Sequence, residues 1–277
     1  MSTPFAVRLD RDMVRVSGPD AVSFLQGQVS QDVAGLAVDA SAWSFILAPQ
    51  GKVDAWFRVT RESDDSFLLD VDTGWGDALA ARINRFKLRV KADVERVDDN
   101  YIAIRYASSD PTPYASSGGR AIAVDWFGFT GVDLLGPSIS IPPGVPEGTV
   151  DDYERWRVAA ALPAMGRELD ETTIPAEAGV VDVSVSFTKG CYTGQELVAR
   201  VDSRGNNTPR RLRRVTLDGP AAAGAELSID GAVVGTLTSV SGIDALAYVK
   251  RSVDPPAIAS IGGRGIAHIA VLERHRD

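Results

Sequence analysis

Lys189-Gly190-Cys191-Tyr192-Thr193-Gly194-Gln195-Glu196 contains the only cysteine of the 277-residue chain, between two glycines and two residues after a lysine. Glycine tolerates backbone dihedrals that other residues avoid, so such a loop can bring its backbone close to a ligand. Thr193 and Glu196 have the Thr-x-x-Glu spacing of a capping box, which predicts a helix over residues 194–201. Cys191 would then stand just outside the positive end of that helix, with Lys189 nearby, and both would lower its thiol pKa. The opposing reading is a small buried packing residue, the usual setting of a free cysteine.

The whole string resembles the Lys-Gly-Cys-Tyr/Phe-x-Gly-Gln-Glu signature of the YgfZ family, relatives of the glycine-cleavage T-protein. Every fixed position of that signature is present, flanked by Ser186-Phe187-Thr188 and Leu197-Val198-Ala199-Arg200. Residues 17–33 also look like the opening of this family. Arg157, Gly166, Leu169-Asp170 and Ile174-Pro175-Ala176-Glu177-Ala178-Gly179 are similar to the T-protein segment that lines the folate pocket. The resemblance implies that Glu177 contacts a pterin ring. A carboxylate can accept two parallel N–H bonds from an amino-pyrimidine edge; the plain alternative is a solvated loop carboxylate.

Composition bounds the rest. Apolar content of 44% and charged content of 24% are ordinary for a globular protein. The net charge of −8 argues against a general nucleic-acid or anionic-membrane surface. One cysteine excludes an internal disulfide framework and a self-contained four-cysteine metal site. No basic region followed by an apolar run opens the sequence, and no apolar run approaches membrane-spanning length, so a cytoplasmic protein is the expectation.

Strand-like runs occupy residues 13–16, 43–48, 53–60, 67–71, 90–97, 101–107 and 121–126, with Pro49-Gln50-Gly51-Lys52 as a hairpin turn. Helices are expected after Ser17-Gly18-Pro19-Asp20, over residues 29–36 and 77–88, and from Asp151 to Ala161, before Pro163. Leu79, Ile83 and Phe86 would form the buried face of the third, opposite a solvated set of Arg82, Arg85 and Lys87. Interleaving without a βαβ rhythm indicates an α+β region over residues 1–205, with a possible sub-boundary near 141–150. Five short runs at 211–217, 226–229, 233–240, 245–250 and 267–272, punctuated by Gly and Pro, predict a small C-terminal β-barrel over 206–277. Residues 231–239 and 245–249 are also similar to the T-protein's barrel. Arg204, Arg210, Arg211, Arg213 and Arg214 are either charges that protect a strand edge or a dock for the anionic tail of a folate.

The resemblance also brings a test of chemistry. The T-protein transfers a one-carbon unit to tetrahydrofolate and needs a carboxylate on the second strand of its N-terminal hairpin. Here Ala55 and Trp56 occupy the matching positions and Asp54 comes one residue early, on the opposite face unless a β-bulge re-aims it. A cysteine hydrolase would need a base beside Cys191, and the only histidines are His268 and His275. No metal-ligand cluster or phosphate-binding Gly motif appears.

The resemblance therefore implies a tetrahydrofolate-binding, non-catalytic factor that supports assembly or repair of iron–sulfur proteins, with no membrane and no direct nucleic-acid partner. Its partners would be the folate and iron–sulfur assembly or client proteins. Glu177, Arg157, Lys189, Gly190, Cys191, Tyr192, Gly194, Gln195 and Glu196 would make the binding set. Lys189 would hold the charge of a Cys191 thiolate able to ligate a shared iron centre, and Gln195 and Glu196 could instead be structural. A folate-dependent one-carbon transferase, or an interaction module with a vestigial pocket, are the alternatives.

Overall fold

The computed structural model describes residues 3–115, 118–263 and 265–272. The chain opens with β1 (Phe5–Leu9), β2 (Arg11–Ser17), α1 (Ala21–Gln26), β3 (Ser41–Leu47), β4 (Val53–Ser63), β5 (Ser66–Asp72) and α2 (Gly76–Asn84). It continues through β6 (Asp93–Val97), β7 (Asn100–Arg105), β8 (Arg120–Trp126), β9 (Phe129–Gly136) and α3 (Val150–Ala159). Short helices α4 (Pro175–Ala178) and α5 (Val181–Ser184) lead to α6 (Gln195–Ser203). The last strands are β10 (Arg210–Leu217), β11 (Glu226–Ile229), β12 (Ala232–Ser241), β13 (Asp244–Lys250), β14 (Ala257–Ile261) and β15 (Gly265–Ala270).

Three antiparallel sheets result. The order β3-β4-β5-β2-β6 forms one, β1-β7-β9-β8 a second, and β10-β13-β12-β11-β14-β15 closes into a barrel. Alternation along β7 shows how the second sheet divides its faces, since side chains of a strand point to opposite sides in turn. Tyr101 and Ala103 join the large core shared with the first sheet, whereas Ile102 and Ile104 join a smaller core under Ile139 and Val145. The barrel has its own apolar interior of Val215, Leu227, Leu237, Ala247 and Ile269. Closure removes its open strand edges. No helix among the described residues is long and apolar enough to cross a membrane.

A buried polar latch fixes the barrel to the rest. Glu168 is fully buried and accepts from Arg157 Nη1 (3.1 Å), Ala164 N (3.0 Å), Thr238 Oγ1 (2.7 Å) and Ser239 Oγ (2.6 Å). Tyr248 donates to the Glu168 carbonyl at 2.6 Å. Val158 and Ala161 pack beside it on Leu212, Leu246 and Tyr248 of the barrel.

Several sequence expectations are corrected. Residues 29–36 are turns, because side chains take the bonds a helix would use: Gln26 Oε1 accepts from Val33 N and Ala34 N, and Asp32 Oδ1 from Gly35 N. Helix α1 starts after Asp20 as expected, with the Asp20 carboxylate accepting from Lys91 N. Helix α2 ends at Asn84, leaving Phe86 exposed, and Arg82 is ion-paired to Asp54 at 2.8 Å instead of solvated. The barrel has six strands, not five: Ala257-Ile258-Ala259-Ser260-Ile261, between Pro-Pro and Gly-Gly pairs, pairs with both β11 and β15. Strands β1 and β9 were likewise not legible as runs; each is built by pairing to β7.

Candidate functional site

Two features carry chemistry: a cavity between the two sheets, and the surface loop that presents Cys191. The cavity encloses about 630 Å³. Strands β4, β5 and β2 turn Arg58, Asp70, Asp72 and Arg11 towards the opposite sheet, whose β7 and β9 answer with Tyr101, Arg105 and Asp133. Arg11 bonds Asp70 (3.0 Å) and Asp72 (2.6 Å), and Arg58 bonds Asp70 (2.9 Å) and Asp133 (2.6 Å). Arg105 completes the chain on Asp133 at 2.7 Å. Three arginines thus meet three aspartates, which keeps the buried group neutral as a whole. Burial works against the Asp133 charge, but Arg105 and Arg58, with a hydrogen bond from Tyr101, outweigh it and lower the carboxyl to about 2.

Aromatic rings line the same space. Trp43 and Trp56 stack with centroids 4.1 Å apart, and Trp126 meets both edge-on at 6.0 Å. Arg105 lies 4.5 Å over the ring of Trp156. Arg58 Nη2, Arg105 Nε and Trp156 Nε1 are buried donors without a hydrogen-bond partner among the described residues. A planar aromatic wall with spare donors suits a flat heteroaromatic ligand, and the volume lies within the roughly 300–1,000 Å³ of small-molecule sites. Sequence reasoning missed this site. Its signal was a single charge set into each of four apolar runs: Arg58, Asp70, Arg105 and Asp133.

The β-bulge allowed for at Asp54 does occur. Ile46 pairs with Ala55 and Leu47 with Val53, leaving Asp54 as the extra residue. It does not aim the carboxylate into the cavity, because Arg82 of α2 holds it and Trp56 takes the cavity-lining place. Glu177 also lies outside the lining. It is buried against the barrel, accepting from Arg210 Nε at 3.2 Å and from Ile174 N at 3.4 Å. Arg157 does line the cavity, yet all five of its N–H groups are committed, to Glu154, Leu162 O, Glu168 and Ser239. It is part of the barrel latch and has no donor left for a folate.

The other expected residues come together in one loop and helix. Cys191 is exposed, which rules out the packing-residue reading. The capping box is absent. Gly194, with φ +84°, takes the N-cap position of α6, and Thr193 makes no cap bond. Gly194 serves a close internal approach: a Cβ there would lie 2.9 Å from both Ala48 O and Leu47 Cβ, at the β3–β4 turn. Gly51 of that turn would in the same way strike Leu197 of α6. Gly190, in contrast, faces open space. Gln195 is half-buried, donating its backbone N–H to Tyr192 O, and Glu196 is exposed in the first helical turn, where the dipole favours it.

Lys189 does not hold a thiolate. Its Nζ donates to the carbonyls of Gln26 (2.6 Å), Val29 (2.6 Å) and Gln31 (3.0 Å), which uses all three ammonium protons. Burial lowers its pKa to about 8, with Asp32 opposing. Lys189 also lies 5.3 Å over the ring of Tyr192, whose hydroxyl is buried without a hydrogen-bond partner among the described residues and is pushed up to about 12 by burial. The lysine therefore ties the Cys191 loop to the segment that follows α1. His268 pairs with Asp218 on the barrel at 3.3 Å, and His275 lies outside the described residues. No group of three or more His, Cys, Asp or Glu among the described residues could hold a metal ion.

Known proteins resemble this chain along its length. Residues 210–253 match the family described as CAF17, C-terminal beta-barrel domain. The iron-sulfur cluster assembly factor IBA57 of Mus musculus is 30% identical over 245 residues, 78% of this chain and 67% of that protein. The IBA57 homolog of Chaetomium globosum is 30% identical over 258 residues, which cover 80% of this chain but only 59% of that longer protein. The tRNA-modifying protein YgfZ of Vibrio atlanticus is 28% identical over 222 residues, 75% of this chain and 68% of that protein. Among solved structures, the glycine cleavage system aminomethyltransferase T of Bartonella henselae superposes with a TM-score of 0.82 at 18% identity, covering 98% of this chain and 85% of that one. That likeness establishes the fold.

Proposed function

We propose a function from one premise: the chain belongs to the family of the IBA57 iron–sulfur cluster assembly factors and YgfZ proteins. The protein supports the maturation or repair of iron–sulfur proteins, and Cys191 is the thiol through which it does so. One observation carries this reading. The only cysteine is exposed, on a loop tied at Lys189 to three carbonyls and at Gly194 to the β3–β4 turn. A thiolate held out in this way can contribute one ligand to an iron centre whose other ligands belong to a partner, which suits a chain whose described residues gather no group of three metal ligands. Gly190, with nothing against it, leaves room for that partner's backbone.

The cavity is the proposed site of tetrahydrofolate or a derivative. Trp43, Trp56 and Trp126 would stack on the pterin, and Arg58, Arg105 and Trp156 would supply donors. A reduced folate carries one-carbon units when bound. This chain's residues would bind and orient the ring, with Asp54 withdrawn onto Arg82. Support of an iron–sulfur enzyme that modifies tRNA would unite the two names found among the relatives.

The test is complementation of a deletion strain with Cys191→Ser, scored by the activity of iron–sulfur enzymes. The expected result is loss of support with folding unchanged; full support by the serine variant removes the thiol role. Titration with tetrahydrofolate tests the cavity separately. Trp56→Ala should weaken binding at least tenfold and Glu177→Ala should not, and the reverse order would return the site to Glu177.

A further inference from the structure

The site described so far leaves one sequence feature unexplained. Residues 82–91, Arg-Ile-Asn-Arg-Phe-Lys-Leu-Arg-Val-Lys, hold five cations and no acid in a chain of net charge −8. After α2 ends at Asn84, the segment runs as an exposed loop, and Leu88 is 83% exposed with Phe86 42% exposed beside it. Arg82 covers one face of the Phe86 ring at 4.4 Å, and Lys87 reaches Asp93 at 3.5 Å. Among the described residues, Arg85, Arg89 and Lys91 have no carboxylate within ion-pair distance. Exposed Phe86 and Leu88 among cations, of which Arg85 and Arg89 are unpaired among the described residues, have the aromatic and arginine enrichment of an interface.

The loop shares its supports with Cys191. Lys91 exchanges backbone bonds with Asp20 at the start of α1 (Asp20 N to Lys91 O, 3.2 Å; Lys91 N to Asp20 Oδ2, 2.8 Å). Lys189 grips the other end of that six-residue helix at Gln26 O. Leu47 accepts from Arg82 at its carbonyl (3.1 Å) and also packs against Gly194. A helix of six residues is about 9 Å long, which sets the spacing between these two supports.

We propose that residues 85–91 dock an acidic surface of the protein that exchanges iron–sulfur cargo at Cys191, with Leu88 seated in an apolar pocket of that surface. The inference rests on the thiol role proposed above. Charge complementarity selects the partner class. The loop itself is cationic, but Asp77, Asp93 and Glu95 flank it as exposed carboxylates. A nucleic acid or an anionic membrane extends well beyond ten residues and would meet those carboxylates and the net negative charge. A compact acidic patch would not. Steering by such a patch speeds encounter and fixes the orientation in which a partner ligand meets the thiol.

The test measures binding of the full chain to three probes at low and physiological salt: a fluorescent decapeptide of alternating Glu and Leu, a single-stranded RNA 20-mer, and phosphatidylglycerol vesicles. The peptide should bind most tightly, lose at least tenfold in Arg85→Glu/Arg89→Glu, lose severalfold in Leu88→Ser, and be unaffected by Cys191→Ser. Both sets of substitutions fall on exposed side chains, and thermal melts check that folding persists. Preference for RNA or vesicles, or equal peptide binding by wild type and the charge-reversed variant, overturns the proposal. In the deletion strain, Arg85→Glu/Arg89→Glu should reduce support of iron–sulfur enzymes. If it does not while Cys191→Ser abolishes support, the dock fails and the thiol role stands; full support by Cys191→Ser fails the thiol role itself.

Discussion

Lys189 shows how a residue beside a reactive group can act on position instead of charge. From the string alone, an ammonium two residues from a thiol reads as its counter-ion. The three carbonyls at Gln26, Val29 and Gln31 claim every proton it has, and no sequence pattern announces carbonyls more than 150 residues away. Lys189→Met should strand those acceptors at a local cost of about 1–3 kcal/mol. Amide hydrogen exchange should quicken at least tenfold over residues 189–194 and 26–31 and stay unchanged in the barrel. Uniform exchange across the chain would show that the lysine holds nothing in place. Cys191 was legible as a glycine-flanked thiol, but its exposure was not, since a buried packing residue fitted the string as well. Glu177 was not, because its role depends on Arg210 arriving from the barrel.

Among elements, β4 and α3 carry the arrangement. One extra residue in β4 sends Asp54 to α2 and leaves Trp56 to line the cavity. Strand periodicity identified the run and its hairpin partner, but a bulge is set by pairing with β3 and is invisible in one strand read alone. Helix α3 was legible to within two residues, since Thr149, Asp152 and Pro163 mark its limits locally. What it does was hidden: Arg157 works only with Glu168 and with Ser239 from β12. Glu168→Ala takes away one of the two carboxylates that hold buried Arg157 and strands the Ala164 and Ser239 donors, so it should destabilise the protein by about 3–5 kcal/mol. Chemical denaturation would measure it, and a loss below 1 kcal/mol would mean that apolar contacts at Leu212 and Leu246 hold the barrel unaided.

On the scale of the molecule, the two sheets are joined across the cavity by Arg58 of one and Asp133 of the other at 2.6 Å. The Asp133 carboxyl is at about 2 in the folded protein against 3.8 unperturbed. The unfolded chain therefore binds the proton first as pH falls, and stability present above about 4 is lost towards 2. The shift corresponds to roughly 2–3 kcal/mol. Asp133→Asn should be destabilised at neutral pH and should lack that part of the acid-dependent loss; equal slopes of stability against pH between 4 and 2 would contradict the assignment. The α+β class and the barrel were legible because turn residues and alternation are local. The facing of the sheets was not, because β1 is built by pairing with β7 and β9 by pairing with β7 and β8.

The contact of Gly51 and Gly194 with their neighbours has a consequence for genetics. A methyl group at Gly51 would strike Leu197 at both Cδ2 (2.7 Å) and Cβ (2.9 Å), whereas one at Gly194 would strike the Ala48 carbonyl and Leu47 Cβ at 2.9 Å. Shortening residue 197 removes the Cδ2 contact but not the one at the Leu197 Cβ, 2.9 Å away, nor the cost of a positive φ; the second collision is with a backbone carbonyl and a Cβ, which no shortening moves. A shorter residue at position 197 should therefore restore Gly51→Ala only in part, and full recovery should come by true reversion. Revertants of Gly194→Ala should be true reversions only.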